Sequence, residues 1–211
     1  MQWTLVIPLK PLALAKSRLG ATAGDGLRPG LALAFAQDTV AAALACPAVR
    51  DVAVVTDDAL AGRELAALGA RVVPDLPGEG LNAALRHGTA VVRAERAEIS
   101  VAALNADLPA LRPPELARAL DGAALFPRAF VPDAAGIGTT LLAAAAGTEL
   151  RPAFGPSSRA RHTASGAVEL ALDDVDSVRQ DVDTGEDLMA ALSLGVGPRT
   201  AAAAARLLIS D

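Results

Sequence analysis

The chain has 211 residues, enough for one domain with a sizeable core and few for two. Hydrophobic residues make up 52% of it and aromatic residues 2%, and its single cysteine excludes an intrachain disulfide or a cysteine-rich zinc site. The formal net charge of -5 argues against a broad nucleic-acid-binding surface, but it permits a local basic pocket for an anionic small molecule.

Short runs rich in valine, isoleucine and leucine alternate with longer segments of helical period, the pattern of parallel strands joined by crossover helices. The first half predicts strands at 3–9, 51–58, 71–75 and 99–109, with helices at 29–46, 59–70 and 81–95. The second half predicts a helix at 113–120, strands at 124–133 and 138–146, a loop at 154–166 leading into a helix, a short extended piece from 175, an acidic turn followed by a helix, and a last helix from 198. We therefore expect one α/β domain with an open, mostly parallel sheet, helices on both faces, and a ligand over the carboxyl ends of the strands.

No apolar run reaches the roughly 20 residues needed to cross a bilayer. The first strand-like run also lacks the long apolar core and the cleavage site of a signal peptide. We expect a cytoplasmic protein with no membrane partner.

The loop after the first strand contains the only two lysines, Lys10 and Lys16, among 17 arginines. A lysine approaches phosphate oxygens as a compact point charge, whereas arginine presents a planar fork. With Arg18 alongside, this use of lysine favours a phosphate-binding role over a merely solvated basic loop. The loop is not a Walker motif, because no G-x-x-x-x-G-K-[ST] is present.

Two further stretches offer contacts to a base or ribose. Thr56 ends the second strand, and Gly80 with Asn82 opens the third helix. Glycine permits close backbone approach, and asparagine offers an amide to a base while also capping a helix. Read alone, the Thr56 stretch is a weak signal that is also consistent with a turn and a helix cap made by Asp57 or Asp58. For the stretch with Gly80 and Asn82, a structural turn and cap is the favoured interpretation without further context.

Acidic residues follow two other predicted elements. Asp107 lies at the end of the fourth predicted strand, and Asp181 and Asp183 lie two residues apart before a helix. We expect one of the latter pair to face the cleft and the other to brace the turn, and we favour Asp183 for the cleft. Two carboxylates from distant segments, completed by water and phosphate oxygens, are a typical magnesium arrangement at a nucleotide triphosphate, although Asp107 is also consistent with a helix cap.

Between these acids lie hydroxyl and glycine residues that can donate hydrogen bonds to an anion. The predicted donors are Thr139, Thr140, Gly155, Ser157 and Ser158, the last three near a helix N-terminus. Arg159, Arg161 and His162 follow, and their roles stay open. Without a matched serine and acid, His162 does not indicate a hydrolase triad.

Seven stretches, in this order, resemble a known family, the guanylyltransferases of coenzyme F(420) biosynthesis: VIPLKPLALAKSRL, VVTDD, GEGLNAAL, NADLP, GTT, FGPSSRARH and DVDTGEDL. The resemblance covers about residues 3 to 194. It implies a single-domain, Rossmann-like nucleotidyltransferase fold of glycosyltransferase-A type. The wider superfamily opens with a glycine-rich loop that this chain replaces with LKPLALAKSR, so the basic residues there have to compensate.

The family resemblance also implies a reaction and a set of roles. GMP passes from GTP to phosphoenolpyruvate or 2-phospho-L-lactate, and diphosphate is released. Asp107 and Asp183 would hold Mg²⁺, Lys16 and Arg18 would neutralise the triphosphate, and Lys10, Thr56, Gly80 and Asn82 would bind the nucleotide. Thr140, Gly155 and Ser158 would bind the phosphorylated acid.

Two alternatives stay open at this point: another nucleotidyltransferase, such as a molybdenum-cofactor guanylyltransferase, and a nucleotide-binding module without catalysis. The sequence does not choose between the two acids, which differ in a planar versus a tetrahedral carbon. Nor does it choose between a monomer and a homodimer.

Overall fold

The computed structural model describes residues 2–15 and 19–207. The described strands are β1 (Trp3–Pro8), β2 (Val49–Val55), β3 (Arg71–Val73), β4 (Ser100–Leu104), β5 (Arg128–Pro132), β6 (Thr139–Ala144) and β7 (Val168–Glu169). The described α-helices are α1 (Gly20–Leu44), α2 (Ala59–Ala67), α3 (Leu81–Glu95), α4 (Pro113–Ala123), α5 (Ser158–Ala164), α6 (Asp176–Arg179), α7 (Gly185–Leu194) and α8 (Pro198–Leu207). A 3-10 helix, Leu12–Leu14, follows β1.

The seven strands form one sheet in the order β3-β2-β1-β4-β6-β5-β7. β1 pairs in parallel with β2 and β4, whereas β6 runs antiparallel to both of its neighbours. The predicted mostly parallel sheet is thereby confirmed. Because only β6 is reversed, its amino end meets the carboxyl ends of β1, β4 and β5 at the same edge of the sheet.

Alternating side chains of the strands supply two cores, one on each face of the sheet. Leu5 and Ile7 of β1 pack in a core that includes residues of α1, α2 and α4, whereas Val6 packs in a second core with residues of α3. On that second face Gly88 lets α3 approach closely, since a Cβ there would lie 2.5 Å from Val55 Cγ2 and 2.8 Å from Val6 Cγ1. Helices on both faces of the sheet were predicted and are confirmed.

A third apolar cluster holds the acidic segment near residue 182 against the rest of the molecule. Val182 is fully buried there, together with Leu31 and Phe35 of α1 and Leu188 of α7. Its two neighbours in sequence are both aspartates. Burial of Val182 therefore fixes where these carboxylates lie.

Three predicted elements were wrong in their bounds or type, and one of them is the loop predicted at 154–166, which contains helix α5. Helix α1 begins at Gly20 and carries Pro29 in its interior, although proline usually marks a first helical turn. The piece predicted as extended from residue 175 contains the four-residue helix α6. There the buried Glu115 carboxylate accepts hydrogen bonds from the Ser177 amide (2.8 Å) and hydroxyl (2.7 Å) and so fixes the turn against α4.

None of the described helices combines the length and the apolar character that a membrane span requires.

Candidate active site

A cavity of about 750 Å³ opens at the sheet edge where β1, β4 and β5 end and β6 begins. Seven stretches of the chain contribute to its wall, and apart from Ala32 in the interior of α1 they lie at element ends or in the loops that follow. Its polar lining residues are Lys10, Asn105, Asp107, Asp133, Thr139, Ser157, Ser158, Asp181 and Asp183. A cavity therefore lies at the sheet edge where the sequence predicts the ligand.

Main-chain hydrogen bonds place one side of the cavity. After β1, the Leu9 amide donates to the Val55 carbonyl at 2.9 Å, and after β4 the Asn105 amide donates to the Thr140 carbonyl at 2.9 Å. These bonds extend the sheet's pairing beyond the strands, so Lys10 and Asp107 follow directly from the sheet. We call Lys10, Asp107, Asp181 and Asp183 the carboxylate side.

A main-chain hydrogen bond also connects the acidic segment, residues 181–183, to the carboxylate side. The Val182 amide donates to the Asp107 carbonyl at 3.1 Å, which brings the segment beside the end of β4. Asp181 and Asp183 both line the cavity. The expectation that only one of them faces the cleft was wrong, because residues two apart in an extended segment lie on the same side, with Val182 buried between them.

Asp58 anchors the loop that carries Lys10. Its carboxylate accepts from the Leu60 and Ala61 amides at the start of α2, as the predicted cap, and from the Leu12 amide at 2.8 Å. The hydrogen bonds from Ala61 and Leu12 lower the pKa of the Asp58 carboxyl. The loop after β1 is therefore tied to α2 as well as to β2.

The opposite wall of the cavity is the loop that leads into α5, together with the first residue of that helix, Ser158. Residues 153–158, here called the Phe154 loop, contribute every position from 154 to 158 to the lining. Gly155 has a φ of 112° and Ser157 a φ of 56°. Such a left-handed path is incompatible with strand pairing, so other groups have to hold the loop in place.

Three side chains hold the Phe154 loop by its backbone. Asn82 Nδ2 donates to the Phe154 carbonyl at 3.0 Å, and Asn82 Oδ1 accepts from the Phe154 amide at 2.8 Å. Arg161 donates to the same carbonyl at 3.1 Å. His162 Nε2 accepts from the Ala153 amide at 3.0 Å.

His162 is fully buried, and its second ring nitrogen, Nδ1, lies 2.9 Å from Thr139 Oγ1. Burial, assisted by the charges of Arg128 and Arg161, lowers the pKa of His162 from 6.5 to about 4. The imidazole is therefore neutral at physiological pH.

Arg159, in the same helix, forms two hydrogen bonds with the Glu169 carboxylate and one with the Gly136 carbonyl (2.8 Å).

The residues predicted for binding fall into three groups. Lys10, Asp107, Asp183, Gly155 and Ser158 line the cavity. Thr56, Gly80, Asn82 and Thr140 lie outside the lining: Thr56 Oγ1 accepts from the Asp58 amide, Gly80 precedes α3 with a φ of 89°, and Thr140 is fully buried. Lys16 and Arg18 lie outside the described residues. The role of each residue in binding stays a prediction.

Asp133 is a lining residue that sequence reasoning missed. It follows β5, and its carboxylate oxygens accept from the Ile137 amide (2.9 Å) and the Gly138 amide (2.8 Å) across the turn to β6. The rule that selected Asp107, an acidic residue at the end of a predicted strand, also applies to Asp133, which ends the predicted strand 124–133. The exposed Ile137 in the same turn also lines the cavity. Because it is apolar, a rule that selects polar residues at strand ends does not identify it.

The sheet order, with one reversed strand beside a carboxylate-lined cavity at the carboxyl edge, defines the class of the fold. The overall fold is similar to that of a solved nucleotidyl transferase from Methanothermobacter thermautotroptrophicus, with a TM-score of 0.62 and 23% identity over 90% of this chain and 95% of that one. The predicted nucleotidyltransferase fold is confirmed.

Sequence comparison gives the family. The family model described as "Guanylyl transferase CofC like" matches residues 3–207, and the chain belongs to this family. The phosphoenolpyruvate guanylyltransferase of Streptomyces coelicolor is 80% identical over 100% of this chain and 99% of its own length. The enzyme of the same name from Thermomonospora curvata is 62% identical over 98% of this chain and 90% of its own length. The protein is therefore a nucleotidyltransferase of the guanylyl transferase kind, as the resemblance implied.

Proposed function

We propose that the protein transfers GMP from GTP to phosphoenolpyruvate, releasing diphosphate, as a step of coenzyme F(420) biosynthesis. The choice of acceptor is supported by the full-length relatives named as phosphoenolpyruvate guanylyltransferases. The observation that carries the proposal is one cavity with carboxylates and Lys10 on one side and the Phe154 loop with Thr139 on the other. Such a cavity offers separate places for a nucleotide triphosphate and a second anion.

The carboxylate side fits a hard divalent cation. Asp107, Asp181 and Asp183 all present oxygen ligands, which suit Mg²⁺ better than a soft metal. Within residues 2–15 and 19–207, no group of three or more His, Cys, Asp or Glu could hold a metal ion. A site with two protein ligands is compatible with this finding, and we propose Asp107 and Asp183 as the ligands of Mg²⁺, with water and phosphate oxygens as the others.

Charge balance supports this assignment. Among the described lining residues, four aspartates face a single lysine, Lys10. Several negative charges of a triphosphate would be repelled by such a wall unless cations neutralised them. Asp107 and Asp183 would hold Mg²⁺, which would supply positive charge to the triphosphate and to the leaving diphosphate. Lys10, and by prediction Lys16 and Arg18, add positive charge on the same side.

The remaining chemistry needs positioning more than proton transfer. A phosphate oxygen of the acceptor forms a bond with the α-phosphorus of GTP, and the bond from that phosphorus to the bridging oxygen of the β-phosphate breaks. The attacking phosphate is already ionised, so no general base is required. In this proposal the Phe154 loop, through Gly155 and Ser158, holds the acceptor in line. Thr140 stays a predicted contact of the acceptor, but its side chain is fully buried and it lies outside the lining of the cavity.

Diphosphate release tests the function. Purified protein would be incubated with GTP and MgCl₂, with phosphoenolpyruvate and 2-phospho-L-lactate offered separately and the products identified by mass spectrometry. We expect diphosphate and a guanylylated diester with phosphoenolpyruvate. Turnover with 2-phospho-L-lactate alone would correct the acceptor, and silence with both acids despite GTP binding would refute the proposed function.

A further inference from the structure

Side chains hold the backbone of the Phe154 loop in place by hydrogen bonds, and those side chains do not line the cavity. Residues 154–158 form one wall, yet Asn82 and His162, which hold this loop, lie behind it. Sequence reasoning assigned Asn82 to the nucleotide. The contacts of Asn82 indicate a different task.

Asn82 makes a two-point contact with a single residue 72 positions away. Its amide oxygen accepts from the Phe154 N–H at 2.8 Å, and its amide nitrogen donates to the Phe154 carbonyl at 3.0 Å. A pair of this kind fixes both the position and the orientation of the backbone at Phe154, directly before Gly155. Aspartate has the same shape but no donor, so it would set an oxygen against the Phe154 carbonyl.

His162 acts on the loop and on Thr139 together. Because Nε2 accepts from the Ala153 N–H, the neutral ring carries its proton on Nδ1 and donates it to Thr139 Oγ1. The Thr139 hydroxyl, which lines the cavity, is thus an acceptor toward His162. Its own hydrogen is left for an oxygen acceptor elsewhere, such as the phosphate or carboxylate of a bound acid.

We infer that Asn82 and His162 are positioning residues for the acceptor: they hold the Phe154 loop and the Thr139 hydroxyl in place for the phosphorylated acid and do not read the guanine base. This inference rests on the proposed function, since it assigns the Phe154 side of the cavity to the second substrate. It predicts that substitution of either residue raises the KM for the phosphorylated acid and leaves the KM for GTP unchanged.

Asn82→Asp and Asn82→Ala test the first residue through separate KM values for GTP and phosphoenolpyruvate, and through the ratio of GTP to ATP turnover. We expect the KM for phosphoenolpyruvate to rise about tenfold, since two hydrogen bonds to the loop are weakened or lost. The KM for GTP and the purine selectivity should stay within twofold of wild type. A higher KM for GTP with lower purine selectivity would instead show guanine recognition and overturn the inference, as would two unchanged KM values.

Thr139→Val and His162→Asn test the second residue. Valine keeps the shape of Thr139 without the hydroxyl, and asparagine keeps a donor near the Nδ1 position while removing the Nε2 acceptor. Both should raise the KM for phosphoenolpyruvate several-fold at unchanged KM for GTP. Thr163→Val is the matched control, because Thr163 is exposed on α5 and its hydroxyl donates to the Arg159 carbonyl of the same helix. If His162→Asn does not fold, the nearly isosteric Thr139→Val variant still decides the point.

Assaying the wild-type enzyme in parallel distinguishes failure of the inference from failure of the proposed function. An active wild type whose Asn82 and Thr139 variants keep both KM values overturns the inference alone. A wild type that releases no diphosphate with either acid refutes the proposed function and the inference with it.

Discussion

The two sides of the cavity are placed by different means. On the carboxylate side, backbone hydrogen bonds continue the sheet beyond β1 and β4 and tie Val182 to Asp107, so the main chain fixes where these segments lie. On the other side, the backbone of the Phe154 loop is held by the side chains of Asn82, Arg161 and His162. A substitution on the first side should therefore change chemistry without changing structure. One on the second side should change structure first and chemistry as a result.

The largest effect is expected on the carboxylate side. Asp107→Asn and Asp183→Asn should each lower kcat/KM by about a hundredfold to a thousandfold, the usual loss when one electrostatic group of a polar active site is removed. Their melting temperatures should stay close to that of wild type, because the main chain places both residues. Diphosphate release and thermal unfolding measure the two quantities.

Asp133→Asn is the matched control for these variants. Asp133 lines the same cavity, but both of its carboxylate oxygens already accept backbone hydrogen bonds. It should lose less than tenfold in activity. Equal losses at Asp133 and Asp107, or full activity in both predicted ligand variants, would contradict the assigned metal site.

On the loop side, His162 predicts a pH dependence of stability. Its pKa is about 4 in the folded chain and 6.5 ordinarily, so the unfolded chain binds the proton first on acidification. The stability that this neutral ring contributes is complete above about pH 6.5 and is lost as the pH falls toward 4. The loss should reach about 3 kcal/mol, at about 1.4 kcal/mol for each unit of pKa difference.

Urea unfolding at several pH values, compared between wild type and His162→Gln, isolates this contribution. Glutamine does not titrate and keeps an amide near the Nε2 position, so the other acidic and basic groups cancel in the comparison. The free energy of unfolding of the wild type should fall more steeply between pH 6.5 and 4 than that of the variant. Parallel curves would mean that His162 titrates normally in the folded protein.

The same contrast explains what the sequence allowed to be predicted. Strands and the polar residues after them were predictable, because parallel strands end at one sheet edge and Lys10 and Asp107 directly follow such strands. The partners of the Phe154 loop were not, because no local pattern records that Asn82 faces a residue 72 positions away. The one error about the carboxylates, that Asp181 and Asp183 point apart, came from misjudging the two-residue period of an extended segment.

A third test moves the Phe154 loop itself. Gly155 has a φ of 112°, and a Cβ there would lie 3.1 Å from Arg161 Nη2. Gly155→Ala should therefore cost about 1–2 kcal/mol of stability and raise the KM for the acceptor. Gly166→Ala is the control, since Gly166 has a φ of 83° and an open Cβ position away from the cavity. The Gly166→Ala variant should lose a comparable free energy of unfolding while its KM for the acceptor stays unchanged. If its KM rose as much as that of Gly155→Ala, backbone strain anywhere in the protein, and not the position of the Phe154 loop, would explain the effect.

The smallest effect is expected at Lys10, on the carboxylate side. Its side chain is exposed, so its attraction for a triphosphate is screened by water and salt, and Lys10→Ala should raise the KM for GTP by only about fivefold to tenfold. The ratio to wild type should shrink as ionic strength rises, since screening weakens a charge contact and leaves a shape contact unchanged. Arg86→Ala, which removes an exposed cation of α3 outside the cavity lining, should leave the KM for GTP unchanged. If Lys10→Ala and Lys16→Ala both matched Arg86→Ala, the use of lysine at only these two positions would have no connection with the triphosphate.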